Sequence, residues 1–467
     1  MSAEENYEIL VLGSGEAGKF IAWTMAKEGK RTAVVERKLI GGSCPNIACL
    51  PSKNEIHSAK VASYFQRSKE FGIHSGEWTV DMARVRNRKR LMVDGLIQIH
   101  LDRYRDSGAE LIMGSGAFVA PKTLQVSLAE GGTRVIRGDK VFLDIGTRAT
   151  IPAIEGLRES KPLTHVEALE LDRVPEHLIV LGGGYVGLEL AQAFRRFGSG
   201  VTILEHGPQL LAKSDADIAD ALSQMLTAEG IEVQLNAEVL KVEGTSGSGV
   251  RLQSNIAGTR REINGTDILT AAGRLPNTTG IGLDKAGVQL DERGYVRVNE
   301  TLATTAPEVW AMGDCAGSPQ FTHVAFDDFR IVRESLAGGK RTTNGRLIPS
   351  CLFTDPQLAR VGINEREAKE RGIPYRLAKL PMASVLRTHT LSEKSGFMKA
   401  LIGEDDRILG FTAFGVEAGE LMATVQIAML ARQPYTILRD AIVAHPTIAE
   451  GLMFLFMTVP ARAAAAS

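Results

Sequence analysis

The chain has 467 residues, of which 44% are hydrophobic and 23% charged; 54 Lys and Arg against 55 Asp and Glu give a net charge of −1. This composition is typical of a globular protein with about three domains. Its balanced charge argues against a nucleic-acid or membrane-surface partner, which a basic excess would favour. No apolar run is long enough for a membrane helix, and the acidic start of the chain does not resemble a signal peptide.

The chain has four cysteines: Cys44, Cys49, Cys315 and Cys351. They are too few for a disulfide scaffold, and their spacing does not match a zinc site, so we expect no metal centre. The close pair, Cys44 and Cys49, in a chain with no recognisable export signal favours redox-active or catalytic thiols. This pattern also predicts a cytoplasmic location.

One strand–turn–helix–strand pattern occurs twice along the chain. In the first copy an apolar run at 9–12 leads to Gly-Ser-Gly-Glu-Ala-Gly at 13–18, a helical stretch at 20–27 and an apolar run at 32–35 before Glu36. In the second, a run at 178–181 leads to Gly-Gly-Gly-Tyr-Val-Gly at 182–187, a helical stretch at 188–197 and a run at 201–204 before Glu205. The first glycine and the acidic residue are 23 positions apart in both copies.

Both copies carry the dinucleotide-binding fingerprint. Its glycines allow a tight turn and a close approach of the pyrophosphate to the helix N-terminus, and the acidic residue can accept hydrogen bonds from the adenosine ribose. The fingerprint glycines are Gly13, Gly15 and Gly18 in the first copy and Gly182, Gly184 and Gly187 in the second. Two copies at one spacing predict two dinucleotides, one bound permanently and one exchanging.

The repeat also predicts the domain organisation. Each copy ends with a similar strand and turn, at 141–146 and 268–274, and a further strand at 310–314 carries Asp314 at its end, within reach of a cofactor hydroxyl. We therefore predict an α/β protein in which a second Rossmann-like domain (150–275) is inserted in the first (1–149 and 276–345). Residues 346–467 alternate strand and helix patterns without a fingerprint, which indicates an α+β domain for association.

The cysteine pair lies in Gly-Gly-Ser-Cys-Pro-Asn-Ile-Ala-Cys-Leu-Pro-Ser-Lys at 41–53. In a regular helix, Cα atoms five residues apart are about 8.6 Å from each other, which is beyond the reach of an unstrained disulfide. The pair can bridge only if the segment is distorted, and Pro45 and Pro51 disfavour a regular helix. A strained disulfide near the surface is the easily reduced kind, suited to catalysis.

A second candidate group is Ala-His-Pro-Thr-Ile-Ala-Glu at 444–450. Proline is common in the first turn of a helix, so the pattern predicts a helix from Pro446, with His445 just before it and Glu450 one turn on. A carboxylate beside an imidazole fixes its tautomer and raises its basicity, which would suit a proton shuttle for a thiol.

Together these motifs resemble the flavin-dependent pyridine nucleotide–disulfide oxidoreductases over nearly the whole chain. The resemblance implies a disulfide reductase that passes electrons from NAD(P)H through FAD to a Cys44–Cys49 disulfide, and on to (or back from) a thiol, disulfide or reactive electrophile. Cys49 would be the thiol beside the flavin and Cys44 the thiol that exchanges with substrate. Lys53 would lie by the flavin and pair with Glu189. Tyr185 matches the residue that covers the nicotinamide pocket in some relatives.

The resemblance also implies the cofactor and partner contacts. His445, oriented by Glu450, would act as acid–base in the site of the opposite subunit, so the protein would be a homodimer. FAD would contact Gly13, Gly15, Gly18, Glu36, Gly42, Ser43, Lys53, Gly146 and Asp314, and the nicotinamide cofactor Gly182, Gly184, Gly187, Glu205 and Gly273. Glu205 favours the free 2′-hydroxyl of NADH over the 2′-phosphate of NADPH, and the next seven residues, 206–212, contain no arginine to bind that phosphate.

The substrate is left open by the sequence. Pro45 and Ala48 depart from the usual disulfide segment. Dihydrolipoamide dehydrogenases share the 444–447 segment and Glu205. The segment at 320–330, in contrast, more closely resembles the members of this family that confer resistance to reactive chlorine species. Mercuric reductases typically have a C-terminal cysteine pair, which the tail at 458–467 does not contain. The alternative functions are a dihydrolipoyl dehydrogenase, a mercuric-reductase-like metal-ion reductase that uses the same thiols, and a flavoprotein that serves mainly to bind within a larger complex.

Overall fold

The computed structural model describes residues 4–462, and its first part is built around a mostly parallel sheet. The elements are β1 (Glu4–Leu12), α1 (Glu16–Lys27), β2 (Thr32–Glu36), α2 (Ser43–Asn46), α3 (Cys49–Gln66), α4 (Met82–Ser107), β3 (Glu110–Ala120), β4 (Thr123–Leu128), β5 (Thr133–Leu143) and β6 (Thr147–Ala149). β3, β2, β1 and β5 pair in that order as parallel strands, and β4 is antiparallel between extensions of β3 and β5. Nearly continuous apolar strands such as 9–12 are buried on both faces, as a parallel sheet requires.

A second parallel sheet follows before the chain returns to the first. Its region comprises α5 (His165–Ala168), β7 (His177–Leu181), α6 (Tyr185–Phe197), β8 (Gly200–Leu204), α7 (Ala216–Ala228), β9 (Ile231–Gln234), β10 (Ala237–Thr245), β11 (Gly249–Ile256), β12 (Thr259–Gly265), β13 (Asp267–Thr270) and β14 (Arg274–Pro276). The parallel order is β13–β7–β8–β9, and β10, β11 and β12 form an antiparallel sheet beside it. β14 pairs with β6, so the chain leaves and re-enters the first region at one place.

The remaining elements complete the first sheet and form the C-terminal region. They are β15 (Val309–Ala311), α8 (Thr322–Leu336), β16 (Ser350–Leu352), β17 (Gln357–Gly362), α9 (Glu365–Glu370), β18 (Arg376–Pro381), α10 (Leu386–Leu391), β19 (Phe397–Ile402), β20 (Ile408–Gly415), α11 (Ala418–Leu430), α12 (Thr436–Arg439) and α13 (Gly451–Met457). β15 adds to β5 in parallel, whereas β16–β17–β20–β19–β18 form an antiparallel sheet. The predicted fold class is therefore confirmed: two dinucleotide-type sheets, one inserted in the other, and an α+β region.

A buried lysine ties the C-terminal sheet to the second parallel sheet. The Lys399 side chain on β19 is inaccessible to solvent, and its Nζ lies 2.7 Å from Asp215, 2.7 Å from Asp217 and 2.9 Å from Glu365. Asp215 and Asp217 flank the start of α7, so three carboxylates compensate one buried ammonium where the two regions meet. Within 4–462, none of the helices combines the length and apolar character needed to cross a membrane.

Candidate active site

The first glycine-rich turn joins β1 to α1 and is shaped by close backbone approaches. Gly13 has φ +97°, and a Cβ there would collide with the carbonyl oxygen of Asp144; a Cβ on Gly18 would collide with that of Gly13. At the end of β2, Glu36 Oε2 accepts hydrogen bonds from the Ser14 N–H (2.9 Å) and the Ser14 hydroxyl (2.7 Å). The acidic residue therefore reaches the glycine-rich turn, as the 23-residue spacing predicts.

The second turn, between β7 and α6, repeats this geometry. Gly182 has φ +111°, and its missing Cβ would lie 2.6 Å from the Ala271 carbonyl oxygen, while Gly184 faces open space at the start of α6. Glu205 follows β8 and accepts hydrogen bonds from the Gly183 N–H (2.6 Å) and the Gly207 N–H (2.7 Å). Both turns thus present backbone N–H groups at a helix N-terminus, which is the arrangement that binds phosphate.

Three further predicted contacts lie in the turns that follow strands. Gly146 (φ +60°) and Gly273 (φ +104°) both have open space where a Cβ would be. Asp314 accepts a hydrogen bond of 2.6 Å from the Thr147 hydroxyl. The expectation that Asp314 ends a strand is wrong: β15 ends at Ala311, and Asp314 lies in the following 3-10 turn, Gly313–Ala316, because the chain turns there into α8.

The cysteine segment consists of two helices with a break between them. α2 ends at Asn46, Ile47 and Ala48 leave the helical conformation (φ −138° and −131°), and Cys49 begins α3. Pro51 lies in the first turn of α3, where its missing N–H costs no hydrogen bond. Gly42 packs so closely on the first glycine-rich turn that its Cβ would lie 2.6 Å from the Gly15 Cα. The distortion expected of this segment is therefore present, beside the first dinucleotide site.

The two thiols of this segment are free, half-buried and electrostatically unequal. The hydrogen bond from Cys44, the Thr322 hydroxyl (3.2 Å from Cys49 Sγ) and the Lys53 ammonium together outweigh the effect of burial and lower the pKa of Cys49 to about 6. The same contact and burial raise the pKa of Cys44. Burial raises the pKa of Cys315 and of Cys351 to about 12. Cys49 is thus the thiol poised as a thiolate at neutral pH.

An ion pair links α3 to α6 next to the cysteines. Lys53 Nζ lies 2.7 Å from Glu189 Oε2, and the other carboxylate oxygen of Glu189 accepts a 2.9 Å hydrogen bond from the Phe353 N–H. The Phe353 ring lies 4.8 Å from the ammonium. Because Glu189 is buried and bound on both oxygens, the Lys53 side chain is held in one place where all three regions of the chain meet.

His445 and Glu450 form a second pair, at a distance from the cysteines in sequence. His445 Nδ1 lies 2.8 Å from Glu450 Oε2; the histidine side chain is 64% exposed and the glutamate 6%. The prediction of a helix from Pro446 is wrong, since α13 begins at Gly451. Instead the Thr447 hydroxyl donates to the Ala444 carbonyl and accepts from the Glu450 N–H, and these turn hydrogen bonds replace the helix.

One continuous cavity of about 2170 Å³ joins most of these groups. The predicted residues that line it are Gly13, Gly15, Glu36, Gly42, Ser43, Cys44, Cys49, Lys53, Gly146, Gly184, Glu189, Gly273 and Asp314, together with Tyr185. Gly18, Gly182, Gly187 and Glu205 are not among the lining residues; they belong to the two turns or, in the case of Glu205, bind the second turn through the Gly183 N–H. His445 and Glu450 are not part of the lining of this cavity.

Two polar residues of the site were given no role from the sequence. Thr322, the first residue of α8, contacts Cys49, and Asp144 accepts a 2.7 Å hydrogen bond from the Gly18 N–H across the first turn. Asp144 occurs in the quoted strand-and-turn segment at 141–146, so a polar residue at the end of an apolar strand was the available signal. Thr322 had no such signal, because only the fold brings α8 to the cysteines.

Comparison with known proteins agrees with this geometry. Residues 7–328 match the family model "Pyridine nucleotide-disulphide oxidoreductase", and residues 348–454 match the dimerisation domain of that family. A probable pyridine nucleotide-disulfide oxidoreductase, RclA of Escherichia coli, is 35% identical over 460 residues, which are 97% of this chain and 99% of the relative. A dihydrolipoamide dehydrogenase of Chaetomium thermophilum is 31% identical over 469 residues, 99% of this chain and 93% of the relative.

The comparison with solved structures points the same way. The Cu(II) complex of the HOCl-induced flavoprotein disulfide reductase RclA from Escherichia coli superimposes with a TM-score of 0.89 at 34% identity, covering 98% of this chain and all of the other. Two glycine-rich turns and an unequal thiol pair on one cavity are what an FAD- and NAD(P)H-dependent disulfide reductase uses. By its sequence, its dimerisation domain and its site, this chain belongs to the pyridine nucleotide-disulphide oxidoreductases, flavoenzymes that work as homodimers.

Proposed function

We propose that the protein oxidises NADH and reduces a small disulfide or a reactive sulfur or oxygen electrophile through a Cys44–Cys49 dithiol. The observation that carries this proposal is the unequal thiol pair: Cys49 with a pKa lowered to about 6, next to Lys53 on the cavity that both glycine-rich turns share. A lowered pKa at one of two adjacent thiols is the property that makes a dithiol reactive.

The residues along the cavity fit FAD and a nicotinamide dinucleotide. The Gly13–Gly18 turn would take the pyrophosphate of FAD, and Glu36 and Asp314 would take hydroxyls; Gly42, Ser43 and Gly146 line the same cavity, and Gly146 leaves open space there. The turn at Gly182–Gly187, with Gly273, offers the same fit to the second dinucleotide. Bound FAD supplies the transfer of two electrons between the nicotinamide and the disulfide.

The two cysteines have different tasks in this proposal. Cys44 attacks a substrate disulfide and forms a mixed disulfide, releasing one thiolate; Cys49 then attacks Cys44 Sγ, which releases the second thiolate and closes the Cys44–Cys49 disulfide. Thr322 and Lys53 hold Cys49 as a thiolate. Lys53, fixed by Glu189, also places a positive charge beside the flavin site. Because the pKa of Cys44 is raised, this thiol needs a base.

We assign that base to the His445–Glu450 pair of the opposite subunit. The buried Glu450 binds Nδ1, so Nε2 faces away from Glu450 on a largely exposed imidazole. Glu450 Oε1 is buried and has no hydrogen-bond partner among residues 4–462. Ile442, three residues before His445, is fully exposed. An exposed apolar residue next to an oriented imidazole is what we expect of a segment that enters the site of the second subunit. The chain also carries a dimerisation domain.

The preference for NADH is assigned to Glu205. Its carboxylate is held by the Gly183 and Gly207 N–H groups at the edge of the second turn, where a 2′-phosphate would meet a fixed negative charge. Glu205→Ala should raise the KM for NADH about tenfold more than that for NADPH. Glu238→Ala, at an exposed site on β10, is the matched control and should leave the ratio unchanged. Steady-state kinetics with both nucleotides measure this ratio, and an unchanged ratio in Glu205→Ala would refute the ribose contact.

The domain boundaries and the location are part of the proposal. Residues 1–149 and 276–345 would form the FAD domain, 150–275 the NAD domain and 346–467 the interface domain. This division is supported by the β6–β14 pairing at the two crossings between the parallel sheets. A dithiol that must be reduced in every cycle suits the cytoplasm, where thiols are kept reduced.

A screen of NADH oxidation against lipoamide, glutathione disulfide, hypothiocyanous acid and mercuric ion tests the substrate class. We expect one of the sulfur or oxidant substrates to exceed the rate with oxygen by at least about a hundredfold. A metal-ion reductase is the second candidate, favoured by the Cu(II) complex in which RclA was solved. Turnover with metal ions alone would select it, and no stimulation by any of the substrates would contradict the proposed activity.

A further inference from the structure

A buried carboxylate lies directly against the turn that we assign to the pyrophosphate of FAD. Asp144 follows β5, and its Oδ2 accepts a 2.7 Å hydrogen bond from the Gly18 N–H. A Cβ on Gly15 would lie 2.6 Å from the same oxygen, and a Cβ on Gly313 would lie 3.1 Å from Oδ1. The Asp144 side chain is therefore enclosed between the glycine-rich turn and the turn that carries Asp314, and it also borders the cavity.

Asp144 acts as the N-terminal cap of α1 from a distant part of the chain. Gly15 occupies the N-cap position and has no side chain to accept from the free N–H groups of the first helical turn. Asp144 accepts from the third of these, which is the bond that an N-cap aspartate normally makes. The N-terminus of a helix attracts anions through the helix dipole and its free N–H groups. The Asp144 carboxylate and the pyrophosphate would therefore lie next to each other at the N-terminus of α1.

The groups around Asp144 leave its charge largely uncompensated. They are Glu16 and Lys19 on α1, Asp314 and Cys315 on the 3-10 turn after β15, and Tyr104 on α4. Lys19, whose charge acts to lower the pKa of Asp144, is already paired with Glu16 at 2.7 Å. Burial, with Asp314 and Glu16, raises the pKa of Asp144 to about 7. A second anion beside it must raise this pKa further.

We propose that Asp144 takes up a proton from solvent when FAD binds, so that the protein binds the dinucleotide and one proton together. The inference rests on the proposed placement of the pyrophosphate on the Gly13–Gly18 turn. Protonation at Oδ1 leaves Oδ2 free to keep its bond from Gly18, and the neutral carboxyl no longer repels the phosphates. Asp144 is thus a positioning residue that maintains the start of α1 in both states.

The pH dependence follows from the two protonation states. Well below pH 7 Asp144 is already mostly protonated without FAD, so binding should take up little or no proton there. Above pH 7 the carboxylate of the apoprotein must be neutralised on binding, so the Kd for FAD should rise by up to about tenfold per pH unit until the pKa of the bound state is passed.

Titration calorimetry of the apoprotein with FAD at pH 8, in two buffers of different ionisation enthalpy, counts the protons. We expect the wild type to take up at least about half a proton per FAD. Asp144→Asn, which can still accept from the Gly18 N–H, should take up none and bind FAD with a flat pH dependence. Asp144→Ala serves as a second variant with the same expected proton count.

Glu55→Gln is the matched control. Glu55 on α3 is also almost completely buried, and burial raises its pKa to about 7, but it does not line the cavity. The Glu55→Gln variant should take up as many protons per FAD as the wild type. FAD binding by the wild type without proton uptake, or uptake by Asp144→Asn and Asp144→Ala equal to that of the wild type, would overturn the inference alone. A wild type that binds no FAD would instead overturn the proposed function.

Discussion

Cys44→Ser is expected to lower NADH-dependent disulfide reduction by about a thousandfold or more, because it removes the nucleophile that forms the mixed disulfide. The first half of the reaction should survive: anaerobic reduction of FAD by NADH should change by less than about threefold, since the nicotinamide cofactor is assigned to the second glycine-rich turn and Cys44 is assigned to the exchange with substrate. Stopped-flow absorbance of the flavin and steady-state turnover with a disulfide separate the two halves.

Cys351→Ser is the matched control for that experiment. Cys351 borders the same cavity, but burial raises its pKa to about 12, so it is a poor nucleophile at neutral pH. We expect near wild-type turnover from this variant. Turnover retained in Cys44→Ser, or lost equally in Cys351→Ser, would show that Cys44 is not the exchanging thiol.

His445→Gln should slow disulfide turnover by about a hundredfold while leaving FAD reduction by NADH intact, because general acid–base help to a thiol is typically of this size. His389→Gln changes another histidine of the interface domain, which is exposed and hydrogen-bonded to the Ala383 carbonyl, and should have no effect. Equal losses in both half-reactions would contradict the role given to His445.

Mixed dimers show which subunit the histidine serves. A dimer of one Cys44→Ser chain and one His445→Gln chain keeps one complete site if His445 acts across the interface, and should have about half the wild-type activity. A dimer of a wild-type chain and a chain with both substitutions should then be nearly inactive. The reverse result, activity only in the second dimer, would place His445 in the site of its own subunit.

The sequence predicts the parts of this molecule that repeat a local pattern. Apolar runs followed by glycines and an acid 23 residues on become two similar strand–turn–helix units, because each requirement, a buried parallel strand and a turn without side chains, is local. Pro45 and Pro51 likewise predict the break in the cysteine segment, since proline restricts its own backbone.

Contacts between distant segments could not be predicted in this way. Thr322 reaches Cys49 because α8 is packed next to the cysteine segment, and Asp144 caps α1 from 126 residues away. The 444–450 segment has the composition of a helix start, yet the Thr447 hydroxyl bonds to the backbone of Ala444 and Glu450 in a turn. Tertiary packing overrides local preference at each of these places.

Anaerobic titration of the purified flavoprotein with NADH tests the central claim, an electron path from NADH through FAD to the Cys44–Cys49 pair by way of Cys49, most directly. The wild type should develop a long-wavelength band from the Cys49 thiolate next to the flavin, and Cys49→Ser should not. Because the pKa of Cys49 is lowered to about 6, the band should be full at pH 8 and should fade as the pH falls through that value. A wild type without the band, or a band that persists in Cys49→Ser, would contradict the account.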